Sequence, residues 1–276
     1  MSTVTISAAE VNKLRQQTGA GMMDCKKALT EANGNFEEAV DVLRKKGQKV
    51  AANRADRAAA EGCVLAKVSA DKKFAVVLSL NCETDFVAKN EGFVAMTQGF
   101  LDIAIDKKCK STDDLHKESY NGLAISEKLI EQTGVIGEKL EIGSFEYLEA
   151  EFISSYIHAG NRLATIVAFN KATTDDTGKQ VAMQIAAMSP IAVDEKSVPQ
   201  DVIAREIEVG KELAIQEGKP AEMAEKIAMG RLNKFYKEAT LLNQEFIRDQ
   251  KMTVKQFLAS VDKDLTATAF KRVSLS

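Results

Sequence analysis

From residue 7 to residue 43, apolar side chains recur every three or four positions, the spacing of helices with one buried face. Ser7-Ala8-Ala9-Glu10 reads as a capping box, with Ser7 accepting the Glu10 amide and Glu10 reaching back. The helix it opens presents Val11 and Leu14 on one face and stops at Gly19 and Gly21. A second helix over 22–32 aligns Cys25, Ala28, Leu29 and Ala32 and ends at Asn33-Gly34. Asn35, with Glu38 completing another box, opens a third, whose stripe is Phe36, Ala39, Val40 and Leu43 before Gly47. Three such helices make a small bundle with a thin core, a module more suited to binding than to catalysis. Residues 49–61 are rich in Ala and charge without an apolar stripe, which predicts a helical or near-helical linker.

The period then changes to two. Val64, Ala66 and Val68 alternate, a turn falls at Ala70-Asp71-Lys72-Lys73, and 74–80 forms the return strand. Thr84 is placed to cap a short helix, Asp85 suits its positive first turn, and Asn90-Glu91-Gly92 ends it after barely two turns. Such a helix is too short to be stable alone, yet it carries Phe86 and Val87 where solvent-facing residues are expected. It reads either as a capped connector or as a probe pushed into a partner. A longer helix follows, with Phe93, Met96, Phe100, Ile103 and Ala104 on one face. Residues 111–138 are polar and helical in parts, around Leu115, Leu123, Leu129 and Ile130.

The same order then recurs about 90 residues later. Strands over 152–158 and 163–169 flank Gly160-Asn161, and Thr173-Thr174-Asp175-Asp176 leads into a helix with Val181, Ile185 and Met188, stopped by Pro190. From about residue 201 the period is helical again. Ile203, Ile207, Gly210 and Leu213 line one helix, Gly218-Lys219-Pro220 turns the chain, and Met223, Ile227, Leu232 and Phe235 line the return. The pattern predicts an α+β protein: a three-helix bundle (1–48), a linker (49–61), two core subdomains with antiparallel hairpins (62–140 and 141–196), an inserted helical hairpin arm (197–237), and a return to the core (238–276).

Composition narrows the chemistry. Apolar content of 45% and charged content of 28% over 276 residues are those of a soluble globular protein. The net charge of −3 argues against a direct nucleic-acid binder, and no apolar run approaches a bilayer span. The start, Met1-Ser2-Thr3-Val4, has no basic or apolar leader region, so a cytoplasmic protein is expected. Cys25, Cys63, Cys82 and Cys109 form no CxxC pair, and reduced thiols are expected. Two histidines and scattered cysteines argue against a zinc site, and the lack of a GxxxxGK[S/T] loop argues against a GTPase or kinase. An enzyme would have to use Cys82 as nucleophile, His158 as base and Asp85 or Glu83 as orienter, with nothing visible to lower the thiol's pKa. The expectation is therefore no enzyme, no catalytic residue and no cofactor.

Two long stretches carry a family resemblance. Leu14-Arg15-Gln16-Gln17-Thr18-Gly19-Ala20-Gly21-Met22-Met23-Asp24-Cys25-Lys26-Lys27-Ala28-Leu29 is one, and Asn81-Cys82-Glu83-Thr84-Asp85-Phe86-Val87-Ala88-Lys89 is the other. With Ser155-Tyr156-Ile157-His158, Gly218-Lys219-Pro220 and Ala224-Glu225-Lys226, they make the chain resemble the elongation factor Ts family nearly end to end. The resemblance implies a bundle similar to ubiquitin-associated domains, a core of two related subdomains and a protruding helical arm. It implies a guanine-nucleotide exchange factor in translation elongation. Such a factor meets GDP-bound elongation factor Tu, perturbs its Mg²⁺ and phosphate site, releases GDP, and stays on the nucleotide-free form until GTP rebinds.

Arg15, Met22, Met23 and Lys26 match positions by which the family's bundle grips the GTPase's nucleotide domain. Thr84, Asp85, Phe86 and Val87 match the motif associated with dislodging Mg²⁺, with Asp85 and Phe86 entering beside the nucleotide. His158 would meet another domain of the GTPase. Because the sequence stops at Ser276, soon after Phe270-Lys271-Arg272, a C-terminal helical module found in some members is expected to be missing. The resemblance leaves a dimer of heterodimers open and implies neither a membrane nor a nucleic-acid partner. The alternative reading is an adaptor that binds the GTPase without accelerating release.

Overall fold

The structure, a computed structural model of the chain, describes residues 5–275. Residues 1–4 and Ser276, on which the leader and chain-end expectations fell, lie outside the described residues. The described residues form two compact units, one of residues 5–65, 78–145 and 274–275, the other of residues 66–77 and 146–273. In chain order the elements begin with α1 (Ala8–Thr18), α2 (Met22–Glu31), α3 (Phe36–Arg54), β1 (Glu61–Val68), β2 (Phe74–Cys82), α4 (Asp85–Ala88) and α5 (Glu91–Asp106). Next come α6 (Thr112–Lys117), β3 (Ser119–Tyr120), β4 (Leu123–Ala124), α7 (Ile125–Ile136), β5 (Glu141–Glu149), β6 (Phe152–Ile157), β7 (Leu163–Phe169) and α8 (Asp175–Met188). The last are α9 (Gln200–Gln216), α10 (Ala221–Ala239), β8 (Glu245–Phe246), β9 (Asp249–Thr253), α11 (Val254–Val261) and β10 (Ala267–Ser274). The class is α+β, as the periodicities predict.

The bundle forms as its caps dictate. Glu10 N donates to Ser7 Oγ at 3.2 Å, Ser7 N donates to Glu10 Oε2 at 2.8 Å, and Gly19 ends α1 at φ 71°. Leu14, Cys25, Ala28, Leu29 and Ala39 are fully buried together, with Phe36, Val40 and Leu43 packed on them. Two local expectations fail. Asn35 caps α3 by accepting from the Glu37 and Glu38 amides, but the Glu38 carboxylate accepts from the Asn35 side-chain amide, so no reciprocal box forms. Nor does Gly47 end the helix. α3 continues to Arg54, and Gly47 is buried against α7, where its missing side chain lets Gly134 approach.

Two three-stranded sheets follow one plan, with the second strand of a hairpin in the middle. β2 lies between β1 and β5, and β7 lies between β6 and β10. The unit boundaries cut the strands of the first sheet at 65/66, 77/78 and 145/146. β1 and β2 are buried on both faces, so the alternation read along 64–68 understates their burial. β6 and β7 pair antiparallel from Phe152↔Phe169 to Ile157↔Ala164, around a turn with Gly160 at φ 88° and Asn161 at φ 54°. In the second unit Phe152, Val167, Phe169, Val181 and Ile185 bury against Val254, Leu258 and Leu265, so the C-terminal segment closes that core. Met188, expected on the buried face of α8, is instead exposed at its end. Strand β5 is an addition that the sequence pattern did not announce.

The arm is the expected helical hairpin, with a seam that keeps the expected Gly210 and Leu232 but not all of the other large residues. Gly210 and Ala214 on α9 bury against Ala224, Ala228 and Leu232 on α10. Leu213 and Met223, expected inside, face solvent. Small residues win because they let two backbones approach. A Cβ built on Gly210 would lie 3.2 Å from both Cα and Cβ of Ala228.

Glycines in two helices should respond to alanine with opposite signs. At Gly134 a Cβ would collide with the Gly47 backbone, whereas at Gly230 it would meet nothing within 4 Å. Gly134→Ala should therefore cost about 1–3 kcal/mol, while Gly230→Ala should add roughly 0.5–1 kcal/mol from helix propensity. Urea unfolding of the two variants measures both. Equal effects would mean that the α3–α7 crossing is not tight.

Candidate functional site

At the end of β2 the chain leaves the core and makes a single helical turn. Thr84 caps α4, its Oγ1 accepting the Val87 amide at 3.5 Å. The helix is shorter than the two turns expected, because Asn90 does not end it but caps α5, accepting from the Gly92 and Phe93 amides. Ala88 points inward and is buried, Val87 is half-buried, and Phe86 is 84% exposed. No other large apolar side chain of the described residues is as exposed. Asp85 is tied to Lys89 Nζ at 2.6 Å across one turn, and the Lys89 hydrogen bond and charge hold its carboxyl below the usual range.

What keeps so short a turn in place lies elsewhere in the same unit. Glu138, just past the left-handed Gly137 that ends α7, accepts from the amides of Glu83 at 3.1 Å and Thr84 at 3.0 Å. Its other oxygen accepts the Thr84 hydroxyl at 2.6 Å. Glu83 reaches the opposite way: its carboxylate accepts the Lys139 amide at 2.7 Å and Arg54 Nη1 at 2.7 and 2.9 Å. The Lys139 amide and then Arg54 lower the Glu83 pKa. Two carboxylates thus fasten residues 83 and 84 to the α7–β5 connection and to the last turn of α3. Sequence reading missed Glu138, Lys139 and Arg54 as supports. They stand 29 to 56 residues from their partners, beyond any local periodicity.

The other expected residues are placed separately. Met22 and Met23, at the start of α2, are 57% and 64% exposed, and Arg15 and Lys26 are also exposed on the bundle. His158 belongs to the second unit, exposed at the end of the β6–β7 hairpin with Nδ1 3.0 Å from the Tyr156 hydroxyl. A thiol nucleophile is opposed by the structure: Cys82 is buried, and burial, then the charge of Glu138, pushes its pKa up to about 12. All four cysteines are free and buried. Among the described residues there is no group of side chains arranged to hold a metal ion, and no helix is long and apolar enough to cross a membrane.

An exposed aromatic tip on a braced turn, beside a bundle that exposes two methionines, has the character of a surface for engaging another macromolecule. Comparison with known proteins agrees on the class. The family profile described as Elongation factor TS matches residues 83–276. The elongation factor Ts of Christiangramia forsetii is 51% identical over 272 residues, covering 98% of each chain. That of Flavobacterium psychrophilum is 52% identical over 273 residues (98% of this chain, 99% of the relative), and that of Porphyromonas gingivalis is 47% identical over 275 (99% of each). This chain belongs to the elongation factor Ts family.

The Glu83 bracket makes a pH prediction with a definite sign. Its folded pKa lies below the ordinary 4.5, so the charge stabilises the fold fully above that value and the contribution is lost as pH falls through the folded pKa. Glu83→Gln should melt below wild type at about pH 7, and the gap should close in acid below the ordinary carboxyl range. Thermal melts across that range decide it; a gap of the same size at every pH, neutral or acid, would exclude the charge as its source.

Proposed function

We propose that this chain is the guanine-nucleotide exchange factor of elongation factor Tu. It binds the GDP complex, disturbs the Mg²⁺ and phosphate site, and leaves a nucleotide-free partner that GTP then refills. The observation that carries the reading is Phe86, held out from the protein on a braced turn. Membership in the elongation factor Ts family supports the partner and the reaction. Thr84 fixes the turn, Asp85 and Phe86 enter beside the nucleotide, and Val87 packs behind them. Arg15, Met22, Met23 and Lys26 grip the nucleotide domain, and His158 meets a further domain.

Magnitudes restrict how this works. Burying one Phe yields about 1.5–3 kcal/mol, which shifts an equilibrium by roughly ten- to a hundredfold. A nucleotide held with Mg²⁺ in a phosphate loop requires a larger coupling, so Phe86 acts together with the bundle and the second unit. Mg²⁺ demands near-ideal octahedral oxygens, and a displacement of about 1 Å in the loop supplying them suffices to weaken it. The Asp85–Lys89 pair is exposed and therefore readily exchanged for contacts with the partner. Linkage makes the effect mutual: whatever the factor does to nucleotide affinity, nucleotide does to the factor's affinity, so GTP binding releases it. No covalent chemistry is needed.

Release of labelled GDP from elongation factor Tu tests the reading directly. The wild type should accelerate release. The double variant Asp85→Ala, Phe86→Ala should slow it at least about tenfold while still forming a complex through the bundle. Normal exchange by that variant would overturn the role of the turn, and binding without any acceleration by the wild type would leave an adaptor instead.

A further inference from the structure

The bracket behind α4 also reaches the bundle. Arg54 is in the last turn of α3, the helix whose first half, with α1 and α2, builds the bundle core. From Arg54 the path runs through Glu83 to the Lys139 amide, and from Glu138 back onto residues 83 and 84. Lys139 follows α7, and α7 crosses α3 at Gly134 and Gly47 with no side chain between them. Val135 of α7 packs on the bundle core, and the crevice left at this junction holds only about 30 Å³. Three joins therefore close a circuit: α3 to α7, α7 to the corner before α4, and that corner back to the end of α3.

We infer that Arg54 and Glu83 are positioning residues for exchange, fixing the direction of the Phe86 tip relative to the bundle's exposed methionines so that docking of the bundle delivers the tip. The inference rests on the exchange reading above and goes beyond it, since neither residue is among those assigned there to meet the partner. A one-turn helix has almost no ladder of its own to set its direction, so residues 83 and 84 set it. The Arg54–Glu83 contact is suited to that task. In it one Arg54 nitrogen, Nη1, donates to both Glu83 oxygens with charge assistance, and the two side chains are only 34% and 16% exposed, which resists screening. Without Arg54 the Lys139 amide still holds Glu83, so the fold survives, but the corner loses its tie to α3. The tip then samples wrong directions while the surface carrying Met22 and Met23 is untouched.

That logic separates rate from affinity. GDP release from elongation factor Tu is followed at increasing concentrations of full-length wild type, Arg54→Met, Glu83→Gln, the double variant, Arg54→Lys and Phe86→Ala. Arg54→Met and Glu83→Gln should lower the maximal rate about tenfold, with the half-saturating concentration within about twofold of wild type. Arg54→Lys, which keeps the charge but on a more flexible and more strongly hydrated ammonium, should fall between. The double variant should be no slower than the slower single one, because both break the same link.

A loss confined to the half-saturating concentration, additive effects, or wild-type rates in both single variants while Phe86→Ala is slow would each overturn the inference and leave the exchange reading standing. No acceleration by the wild type would remove the reading itself, and the inference with it. Should Arg54→Met fail to melt cooperatively, Arg54→Lys and Glu83→Gln carry the same test.

Discussion

A helix of four residues has too few backbone bonds to hold its own direction, and the candidate site of this protein is such a helix. Its stability has to come from outside. Glu138 supplies it by accepting the amides of Glu83 and Thr84 and the Thr84 hydroxyl, which fixes the chain just ahead of the helix. Glu83 supplies the rest by turning its own side chain back into the unit. Without these two carboxylates, residues 83–88 would be a flexible end to a buried strand. With them, a strand that is buried for most of its length delivers an aromatic ring to solvent within a few residues.

That exposure runs against the general tendency of apolar side chains to leave water. Leu14, Leu29, Leu78, Phe100 and Phe169 are fully buried, while Phe86, Met22 and Met23 are the most exposed of the large apolar side chains among the described residues. The cost is small for the free protein because the residues are few, one on the α4 turn and two at the start of α2. On the docking proposed above it would become a gain, because those surfaces would leave water together. A rigid support increases that gain, since little ordering remains to be done at the moment of binding.

Much of this was legible from the sequence wherever the deciding forces are local. Ser7 and Thr84 each cap the helix that follows, as their residue type and position announce. Gly160-Asn161 turns the β6–β7 hairpin for the same kind of reason. The errors fall where a distant neighbour decides. Gly47 has the local look of a helix stop, yet the approach of Gly134, 87 positions on, makes it an internal contact point. Leu213 and Met223 looked like part of the arm's seam by size, but close packing placed Ala214 and Ala228 there beside the expected Gly210. Strand β5 carries Glu141, Glu146 and Glu149 and buries only Leu148 fully, so it lacks the apolar run that marks a strand.

The candidate site divides the same way. Sequence alone determined which residues form it: the threonine cap, the acid in the first turn and the aromatic beside it are neighbours in the chain, and their local preferences act before any tertiary contact. It also determined the class of fold, because the switch from helical to alternating period and back follows from which side chains must be buried. Only the tertiary structure decided that the turn is one turn long and that it is braced by Arg54, Glu138 and Lys139. Long-range hydrogen bonds and close helix crossings depend on where the folded backbone brings residues together. Neither leaves a mark in the spacing of residues along the chain.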